Sequence, residues 1–225
     1  MFSATRMMRT VNIGSLSPMA IAARGTPGAL DESLWQYDET TDTGYYGFVT
    51  ASEFISGNEL DSLVNFTCNR NSDGGWLKFY VGLTAVCNST AGTDKVLYVA
   101  KKTFRTSFSY QDLGNLVGGS ISVVIQDKLY NVRLLSGGHS APGTGSEWNE
   151  LIYRVHLEQP EGKNNWEFYN GNDLDIHNSV GGWTLCFNRV IRAYWTGALT
   201  AFIQQSVNYR NTNNGWRPVL EYVPQ

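Results

Sequence analysis

The sequence predicts an α+β protein whose sheets are mainly antiparallel, and three observations lead to this fold class. Charged residues make up only 16% of the 225 residues, whereas aromatic residues make up 13% and glycines number 23. Solvated helices need many lysines, glutamates and alanines, so this composition favours strands and loops. Short segments also alternate apolar with polar side chains, as half-buried antiparallel strands do. We therefore expect helices to be a minority of the chain.

The N-terminal segment is predicted to be an extended arm followed by a connector. Residues 1–30 contain two prolines and three glycines without sustained periodicity, a pattern typical of extended chain. Residues 31–43 are acidic and form the connector, so that residues 1–43 stand apart from the folded body. We expect two folded parts after them, a β-rich subdomain with a small sheet at residues 44–144 and a second subdomain at residues 145–225.

Strands are predicted where β-branched and aromatic residues alternate with polar ones between turn residues. A hairpin is the clearest case, because Gln126 and Asp127 separate two such segments, and Tyr130, Val132 and Leu134 alternate with polar residues in the second one. The predicted strands are residues 44–50, 76–81, 96–100, 103–110, 120–125, 128–135, 166–169, 182–192 and 217–222, of which the second, third and fourth are expected to form a meander.

Two short helices are predicted from capping residues and apolar spacing. Thr50 and Glu53 have the spacing of a helix N-cap, which predicts a short helix within residues 52–64, interrupted at Gly57 and Asn58. Ser146 is the expected cap of a second helix. Its buried face is expected to consist of Trp148, Leu151, Ile152 and Val155.

The formal charge of −3 hides a more acidic body. Residues 1–30 carry three arginines and no acid, so residues 31–225 hold the remaining 14 basic and all 20 acidic side chains, a net charge of −6. Nucleic-acid binding depends on clustered cations, so we expect no nucleic-acid partner for the body. The basic arm is suited to dock on an acidic surface of another protein.

The chain has three cysteines, Cys68, Cys87 and Cys186, and no C-x-x-C pair. An odd number of cysteines without such a pair argues against a disulfide framework and a zinc site. Reduced, buried thiols are the expectation, and a Cys68–Cys87 bridge is the alternative. No stretch of about 18 apolar residues predicts a transmembrane helix. Polar residues also interrupt the apolar run that an N-terminal signal peptide needs. We therefore expect assembly in a reducing cytoplasm, without membrane insertion.

No residue pattern predicts a metal site, and no cofactor is expected. His139, His156 and His177 lack the spacing of zinc ligands. Asp173 and Asp175 lie among asparagines that could surround a calcium ion, but the residue order of a calcium-binding loop is absent. A polar turn is the preferred interpretation of this segment.

No pattern predicts a catalytic site either. The glycine-rich residues 137–145 lack the lysine of a phosphate-binding loop. Ser140 follows His139, but the G-x-S-x-G motif of a nucleophile is absent. A carbohydrate-active enzyme stays open as the weakest alternative, because the chain contains acids without a marked spacing, namely Glu147, Glu150, Glu158 and Glu161. We expect a protein that is not an enzyme.

Two segments near the C-terminus resemble a known family. Arg189-Val190-Ile191-Arg192-Ala193-Tyr194-Trp195, a polar stretch and the closing Gly215-Trp216-Arg217-Pro218-Val219 resemble the C-terminal half of C-type-lectin-like domains of the formylglycine-generating-enzyme type. Variable receptor-binding proteins of some bacteriophages share this fold, and there an Arg-Gly-Gly-x-Trp segment and a terminal Gly-Phe-Arg bracket the ligand-facing loops. Here Ala193-Tyr194 and Trp216 replace the glycine pair and the phenylalanine. The resemblance covers about residues 145–223 and implies binding rather than oxidation.

A wider likeness points to tailed bacteriophages. Residues 146–152 and 215–221, with residues 76–79 and 98–102 upstream, look like segments of tail or virion structural proteins. This likeness implies a non-enzymatic virion component on the tail or its fibres that contacts the host surface. The alternative is a decoration or adaptor protein on the capsid or tail with a purely structural role.

The contact surface is expected within residues 194–214. The stretch from residue 204 to residue 214 holds one tyrosine, one arginine and no acid, and rigid aromatics with amide side chains suit a glycan or a protein loop. The expected centre of this surface is Tyr194, Trp195, Tyr209, Asn211, Asn213 and Asn214. A solvated loop over a tryptophan-filled core is the alternative. Other virion proteins are the expected partners of the arm, and a homotrimer is the favoured assembly.

Overall fold

Two β-sheets and several short helices make up the part of the chain that the structure describes. The computed structural model describes residues 17–28, 31–66, 69–88, 93–138, 145–158 and 166–224. The strands are β1 (Gln36–Asp38), β2 (Thr43–Val49), β3 (Asn69–Arg70), β4 (Trp76–Val81), β5 (Lys95–Ala100), β6 (Arg105–Thr106), β7 (Ser120–Ile125), β8 (Lys128–Leu134), β9 (Trp183–Leu185), β10 (Val190–Arg192), β11 (Phe202–Gln204), β12 (Asn214–Trp216) and β13 (Pro218–Tyr222). The α-helices are α1 (Pro18–Ala22) and α2 (Gly57–Val64), and tighter or wider helical turns lie at Glu32–Leu34, Gln111–Leu116, Trp148–Ile152, Tyr153–Val155 and Phe187–Arg189.

The strand pairing confirms an α+β fold that is mainly antiparallel. Sheet A has seven strands in the order β1-β2-β4-β5-β13-β8-β7, and sheet B has six in the order β11-β10-β9-β12-β6-β3. Among the strands described, every neighbouring pair is antiparallel except β9 with β12.

The predicted boundary between residues 144 and 145 does not separate two sheets. Strand β13, near the C-terminus, lies in the middle of sheet A between β5 and β8. Strand β6, from the first predicted subdomain, pairs with β12 from the second. Because each sheet combines strands from both halves, the interpretation as a small N-terminal sheet with a separate C-terminal subdomain is corrected.

Central strands of sheet A bury both faces. On β4, Trp76 and Tyr80 belong to one apolar cluster, whereas Leu77 and Phe79 belong to a second cluster on the opposite face. All six residues of β4 are buried. Successive side chains of a strand point to opposite faces, so this nearly continuous apolar segment is what a sheet covered on both sides requires. Sheet A is therefore the internal layer of the fold.

The β7–β8 hairpin is confirmed with the predicted turn. Gln126 and Asp127 have φ values of 50° and 61°, and they join strands in which Ile125 pairs with Lys128. Two consecutive positive φ angles match the twist that a two-residue hairpin needs. On β8, Tyr130 and Val132 are buried as the alternation predicts.

Three predicted strands are shorter than the sequence pattern indicates. Within residues 103–110 only Arg105–Thr106 is a strand, because Ser107 takes a positive φ of 67° and turns the chain. Residues 166–169 contribute only a single bridge, from Tyr169. Residues 182–192 are divided into β9 and β10 by a helical turn. Alternation along the sequence does not reveal these interruptions.

One of the two predicted helices begins later than expected, and the other is not an α-helix. Thr50 and Glu53 do bond reciprocally, but they close an isolated turn. Helix α2 begins only at Gly57, where Ser56 and Glu59 form a capping box. The intervening segment is not helical because Phe54 enters the core.

For the second helix, the Ser146 Oγ accepts the Asn149 N–H at 3.2 Å as predicted. The chain then forms a π-helical turn and a 3-10 turn instead of an α-helix. The expected apolar face is nevertheless buried against sheet A, and it consists of Trp148, Leu151, Ile152 and Val155.

Cys87 and Cys186 are free, buried thiols, whereas Cys68 lies outside the described residues. Most of the predicted arm, at residues 1–16, and most of the glycine-rich segment, at residues 139–144, also lie outside them.

The described part of the arm is not extended, because Pro18–Ala22 form α1 and Met19 and Ala23 are buried in the core. The predicted connector contributes β1 to sheet A, so the interpretation of residues 17–43 as standing apart from the body is corrected. Among the described helices, none is long and apolar enough to cross a bilayer.

Candidate recognition surface

Three loops meet beside sheet B, and they contain five of the six predicted contact residues. We name residues 177–182, 193–201 and 205–213 together the three-loop surface. The first and third loops are joined by the Gly181 N–H, which donates to the Thr212 carbonyl at 3.2 Å. The first and second touch so closely that a side chain at Gly197 would meet the His177 backbone at 2.7 Å. The loops therefore form one continuous surface.

Trp195 is the most exposed aromatic side chain of the three-loop surface, with 66% of its area accessible. Its backbone has a φ of 63°, and Ala193 two residues earlier has a φ of 61°. The left-handed conformation costs a non-glycine residue roughly 1–2 kcal/mol, and a bulky residue adopts it rarely. Neither the exposure nor the conformation stabilises the fold, and such outliers concentrate at functional sites.

Two partly buried tyrosines of the three-loop surface pack against the core, and one of them lies beside Trp195. The Tyr194 ring lies 4.6 Å from the buried Trp183 ring and 6.1 Å from the Trp195 ring, measured between centroids. Burial and a hydrogen bond with Tyr209 raise the pKa of Tyr194. Tyr209 packs against the core, and its hydroxyl accepts a hydrogen bond from the Asn211 amide at 3.2 Å. Both rings thus connect the surface to the core, while Trp195 projects outward.

The loop at residues 205–213 is fixed by contacts with a neighbouring segment. The Arg210 guanidinium lies 2.6 Å from the Asp112 carboxylate and donates to the Ser107 carbonyl at 3.0 Å. The Gln111 N–H donates to the Val207 carbonyl at 3.0 Å. Burial alone would raise the pKa of Asp112, but hydrogen bonds from Ser109 and the nearby guanidinium lower it. The loop is therefore held in one conformation without a ligand.

The three predicted asparagines have different positions. The Asn211 side chain accepts the Asn213 N–H at 2.8 Å, and the Asn213 carbonyl accepts the Trp183 N–H at 2.9 Å. Both side chains are partly exposed. Asn214, in contrast, is fully buried, so its assignment to the contact surface is corrected.

The Asn214 amide acts inside the fold. It donates to the Phe108 carbonyl at 2.7 Å and to the Tyr209 carbonyl at 3.1 Å. Asn214 therefore fastens the third loop to the segment before the Gln111–Leu116 turn. Asn214 is the first residue of β12 and directly precedes a Gly-Trp pair. This position was the available signal of its burial, because a strand residue beside a core tryptophan is a candidate for burial.

The sequence analysis did not select three exposed apolar side chains that lie in the three-loop surface or directly follow one of its loops. Val180, Phe202 and Val207 are exposed to 55%, 40% and 42%, respectively. Phe202 lies on β11, an edge strand in which exposed and partly buried residues alternate, so periodicity was a signal for it. The surface is therefore more apolar than its asparagine-rich sequence indicates.

A cluster of titratable groups lies beneath the first loop. The buried Asp175 carboxylate accepts a hydrogen bond from the Asn71 amide at 2.9 Å. Its other oxygen lies 3.8 Å from the Lys102 Nζ and 3.6 Å from the His177 Nε2. The His177 Nδ1 lies 2.7 Å from the Ser179 Oγ.

The order serine, histidine, aspartate in this cluster is that of an activated nucleophile. However, 3.6 Å is too long for a hydrogen bond between histidine and carboxylate, and the Lys102 ammonium shares the same carboxylate oxygen. The contacts of Asp175 join the first loop to the core. A role in holding the loop accounts for all of them.

Other groups considered from the sequence form local turns. Asn170 and Asp173 bond reciprocally, each side chain accepting the N–H of the other at 3.0 Å, so the segment forms the polar turn that was preferred over a calcium site. Within the described residues, no three histidine, cysteine or acidic side chains are grouped as metal ligands. His156 lies at the end of the Tyr153–Val155 turn.

Comparison of the chain with protein-family models, with curated proteins and with solved structures finds no match. A function for this protein is therefore argued from the three-loop surface and from the resemblance of its sequence segments.

Proposed function

We propose that this protein is a non-enzymatic virion component of a tailed bacteriophage, located on the tail or its fibres, and that the three-loop surface contacts the host. The observation that carries the proposal is Trp195, an exposed aromatic side chain on a strained backbone beside the partly buried Tyr194 ring. The protein would be assembled in the host cytoplasm and act in the virion.

The physical properties of the surface support recognition of a neutral partner. Residues 193–214 contain no acid and one arginine exposed to solvent, Arg210, whose charge is offset by Asp112. Rigid aromatic side chains supply contact area at low entropic cost, and amides supply both donors and acceptors. Because internal hydrogen bonds fix the loops, little ordering would oppose binding. A host glycan or a host protein loop fits this description.

The C-type-lectin-like relationship of residues 145–225 is part of the proposal. Ala193 is one of the two residues that replace the glycine pair of the related phage proteins, and its φ of 61° is a conformation that glycine adopts without strain. The second of the three loops begins within the first segment that carries the resemblance, and the third loop lies between the two segments. This supports a similar loop path at that position.

Adsorption of virions to host cells tests the surface. We expect Trp195→Ala to reduce the adsorption rate at least tenfold, and Asn213→Ala to reduce it less. Phe168→Ala is the matched control, because Phe168 is 71% exposed and lies outside the three-loop surface. Equal adsorption of the Trp195→Ala and Phe168→Ala virions would sink the assignment of the surface.

The location on the virion is tested separately by labelling particles with a specific antibody. Labelling at the tail tip, baseplate or fibres supports the proposal. Uniform labelling of the capsid would overturn it in favour of a decoration or adaptor protein, whose N-terminal arm contacts its virion neighbours.

The absence of enzymatic activity is a further part of the proposal, and the Ser179–His177–Asp175 cluster provides a sharp test of it. Purified protein should not cleave host polysaccharide or a chromogenic ester above the rate of a Ser179→Ala variant. Turnover that disappears in that variant would replace recognition by hydrolysis as the function.

A further inference from the structure

Strand β7 has a free edge at one end of sheet A. It is the last strand of the sheet, and β8 is its partner on one side. On its other side, no backbone group of Ser120–Ile125 bonds to any part of the chain that the structure describes. Unpaired strand edges are templates for pairing with another chain.

The hairpin geometry determines which backbone groups are free. Gln126 and Asp127 form a two-residue turn, so the flanking Ile125 and Lys128 exchange both of their hydrogen bonds. Backbone groups alternate in direction along a strand. The N–H and C=O groups of Ser120, Ser122 and Val124 therefore point outward, and they amount to three donors and three acceptors.

Three features by which proteins protect edge strands, namely charge, proline and a bulge, are missing from β7. Its sequence, Ser120-Ile121-Ser122-Val123-Val124-Ile125, contains no charge and no proline, and its register with β8 has no bulge. The opposite edge of sheet A is different, because β1 has only three residues and ends in Asp38, which pairs with Arg154 at 2.9 Å.

The space beside the edge is open, and apolar and polar side chains line it in about equal measure. Val124 and Leu63 are 62% and 47% exposed, and both line a groove of about 630 Å³ between β7 and helix α2. At the other end of β7, Gly118 and Gly119 leave the approach free of side chains. An extended strand can therefore lie along β7 without first displacing a side chain there.

The outward pattern is complementary to itself. If two copies meet in antiparallel orientation with Ser122 opposite Ser122, then Ser120 lies opposite Val124, and all six outward groups of each copy are paired. The same register places Ile121 opposite Val123 on the core-facing side. A shift by one residue would place outward groups opposite inward ones and lose these bonds.

The absence of charge on β7 makes its edge a place where a second copy can pair without repulsion between the strands. Residues 31–225 carry a net charge of −6, so most faces of two copies would repel each other. In this register, no charged side chain of one β7 strand lies opposite a side chain of the same charge on the other β7 strand. Isologous pairing about a two-fold axis is the commonest way in which identical chains associate.

We propose that two copies of this protein associate through their β7 edges, in the register centred on Ser122, to form one sheet that continues through both molecules. The contact makes pairs, so a dimer replaces the trimer expected from the sequence as the smallest assembly. This inference is independent of the three-loop surface, which uses other residues.

Sedimentation of the full chain and cysteine cross-linking test the contact together. The wild type should sediment as a dimer, and Ser122→Lys should sediment as a monomer, because two lysines would face each other across the axis. Leu157→Lys is the control, since Leu157 is 57% exposed and lies outside β7. An unchanged circular dichroism spectrum would show that the Ser122→Lys monomer is folded.

Cross-linking tests the register itself. Cα atoms of a hydrogen-bonded antiparallel pair are about 5.5 Å apart, a distance that a disulfide spans. Ser122→Cys should therefore form a covalent dimer on oxidation. Val124→Cys should not, because the two copies of residue 124 are about 13 Å apart in this register.

Three results would overturn the proposal: a wild-type monomer at high concentration, an oligomer that survives Ser122→Lys, or equal cross-linking of the two cysteine variants. None of them would affect adsorption by the three-loop surface, so the two proposals fail separately.

Discussion

Sheet A and the three-loop surface use aromatic side chains in opposite ways. In sheet A, Trp76 is fully buried and contacts the rings of Phe54 and Phe104 at 5.5 and 5.0 Å. In the three-loop surface, Trp195 is two-thirds exposed and has a left-handed backbone. Burial of a large ring is among the strongest stabilising contributions in a core, whereas the conformation of Trp195 costs free energy. The comparison indicates that residues of the same type stabilise the fold in one region and, in the proposed function, contact the host in the other.

The two regions also differ in what fixes their backbone. Sheet A is held by ladders of antiparallel hydrogen bonds between long strands. The loops are held by single side chains, above all Asn214 and Arg210, that bond to carbonyl oxygens and one carboxylate. A ladder loses little when one side chain changes, whereas a loop held by few bonds can lose its conformation. Four predictions test this difference, from the largest expected effect to the smallest.

Trp216→Ala should cause the largest loss of stability. Its ring is fully buried and lies 4.7 Å from the Phe66 ring, so truncation should lower the free energy of unfolding by about 3–5 kcal/mol. Trp195→Ala is the matched change in the exposed region and should alter it by less than about 1 kcal/mol. Urea denaturation of both variants gives the two values. Similar losses would remove the distinction between the regions.

Lys78 should produce a pH dependence that originates in sheet A. Burial lowers its pKa from 10.5 to about 8, although the ammonium donates to the Pro27 and Gly28 carbonyls at 3.1 and 3.0 Å. Between pH 8 and 10.5 the unfolded chain holds a proton that the folded chain has released, so Lys78 makes stability rise with pH in this window. The total is about 3 kcal/mol or less.

Buried tyrosines with raised pKa values lower the stability above pH 10. The effect of Lys78 must therefore be measured as a difference in the free energy of unfolding between two proteins that share these tyrosines. The free energy of unfolding of the wild type minus that of Lys78→Met should increase from pH 8 to pH 10.5, because the tyrosine contributions cancel. A difference that stays constant over this range would contradict the lowered pKa of Lys78.

Asn214→Ala should have an intermediate effect. Its amide hydrogens satisfy the Phe108 and Tyr209 carbonyls, and leaving a buried acceptor without a donor costs about 1–3 kcal/mol. Asn213→Ala should cost less than about 0.5 kcal/mol, because its backbone carbonyl, not its side chain, bonds to Trp183. Thermal unfolding of the two variants compares them. Equal midpoints would show that Asn214 does not hold the loop.

The backbone strain at Trp195 should give the smallest effect. Trp195→Gly should be more stable than Trp195→Val by about 1 kcal/mol, because glycine adopts a φ of 63° freely and a β-branched residue does not. Both variants lack the exposed ring, so the difference isolates the backbone. A more stable valine variant would show that the loop relaxes out of the left-handed conformation.

The sequence predicted the regions in which local pattern and tertiary environment agree. The β7–β8 hairpin follows from alternation and from two turn residues, and the central strands follow from their apolar composition. Prediction failed at residues 103–110 and 182–192, where Ser107 and Arg189 take positive φ angles that their residue types do not signal. For Asn214 the composition of the polar stretch was misleading, and the one signal of burial was its position directly before the Gly-Trp pair of β12.

The sequence by itself determined the fold class, because composition and the period-two pattern require antiparallel strands that bury one or both faces. It also determined that residues 194–214 would contain no acid and would be rich in aromatic and amide groups. Only the tertiary structure decided that β13 completes sheet A from the far end of the chain, since strand pairing at long sequence separation is set by packing rather than by local propensity. It likewise decided that Trp195 projects while Asn214 is buried, because burial depends on which distant segments meet.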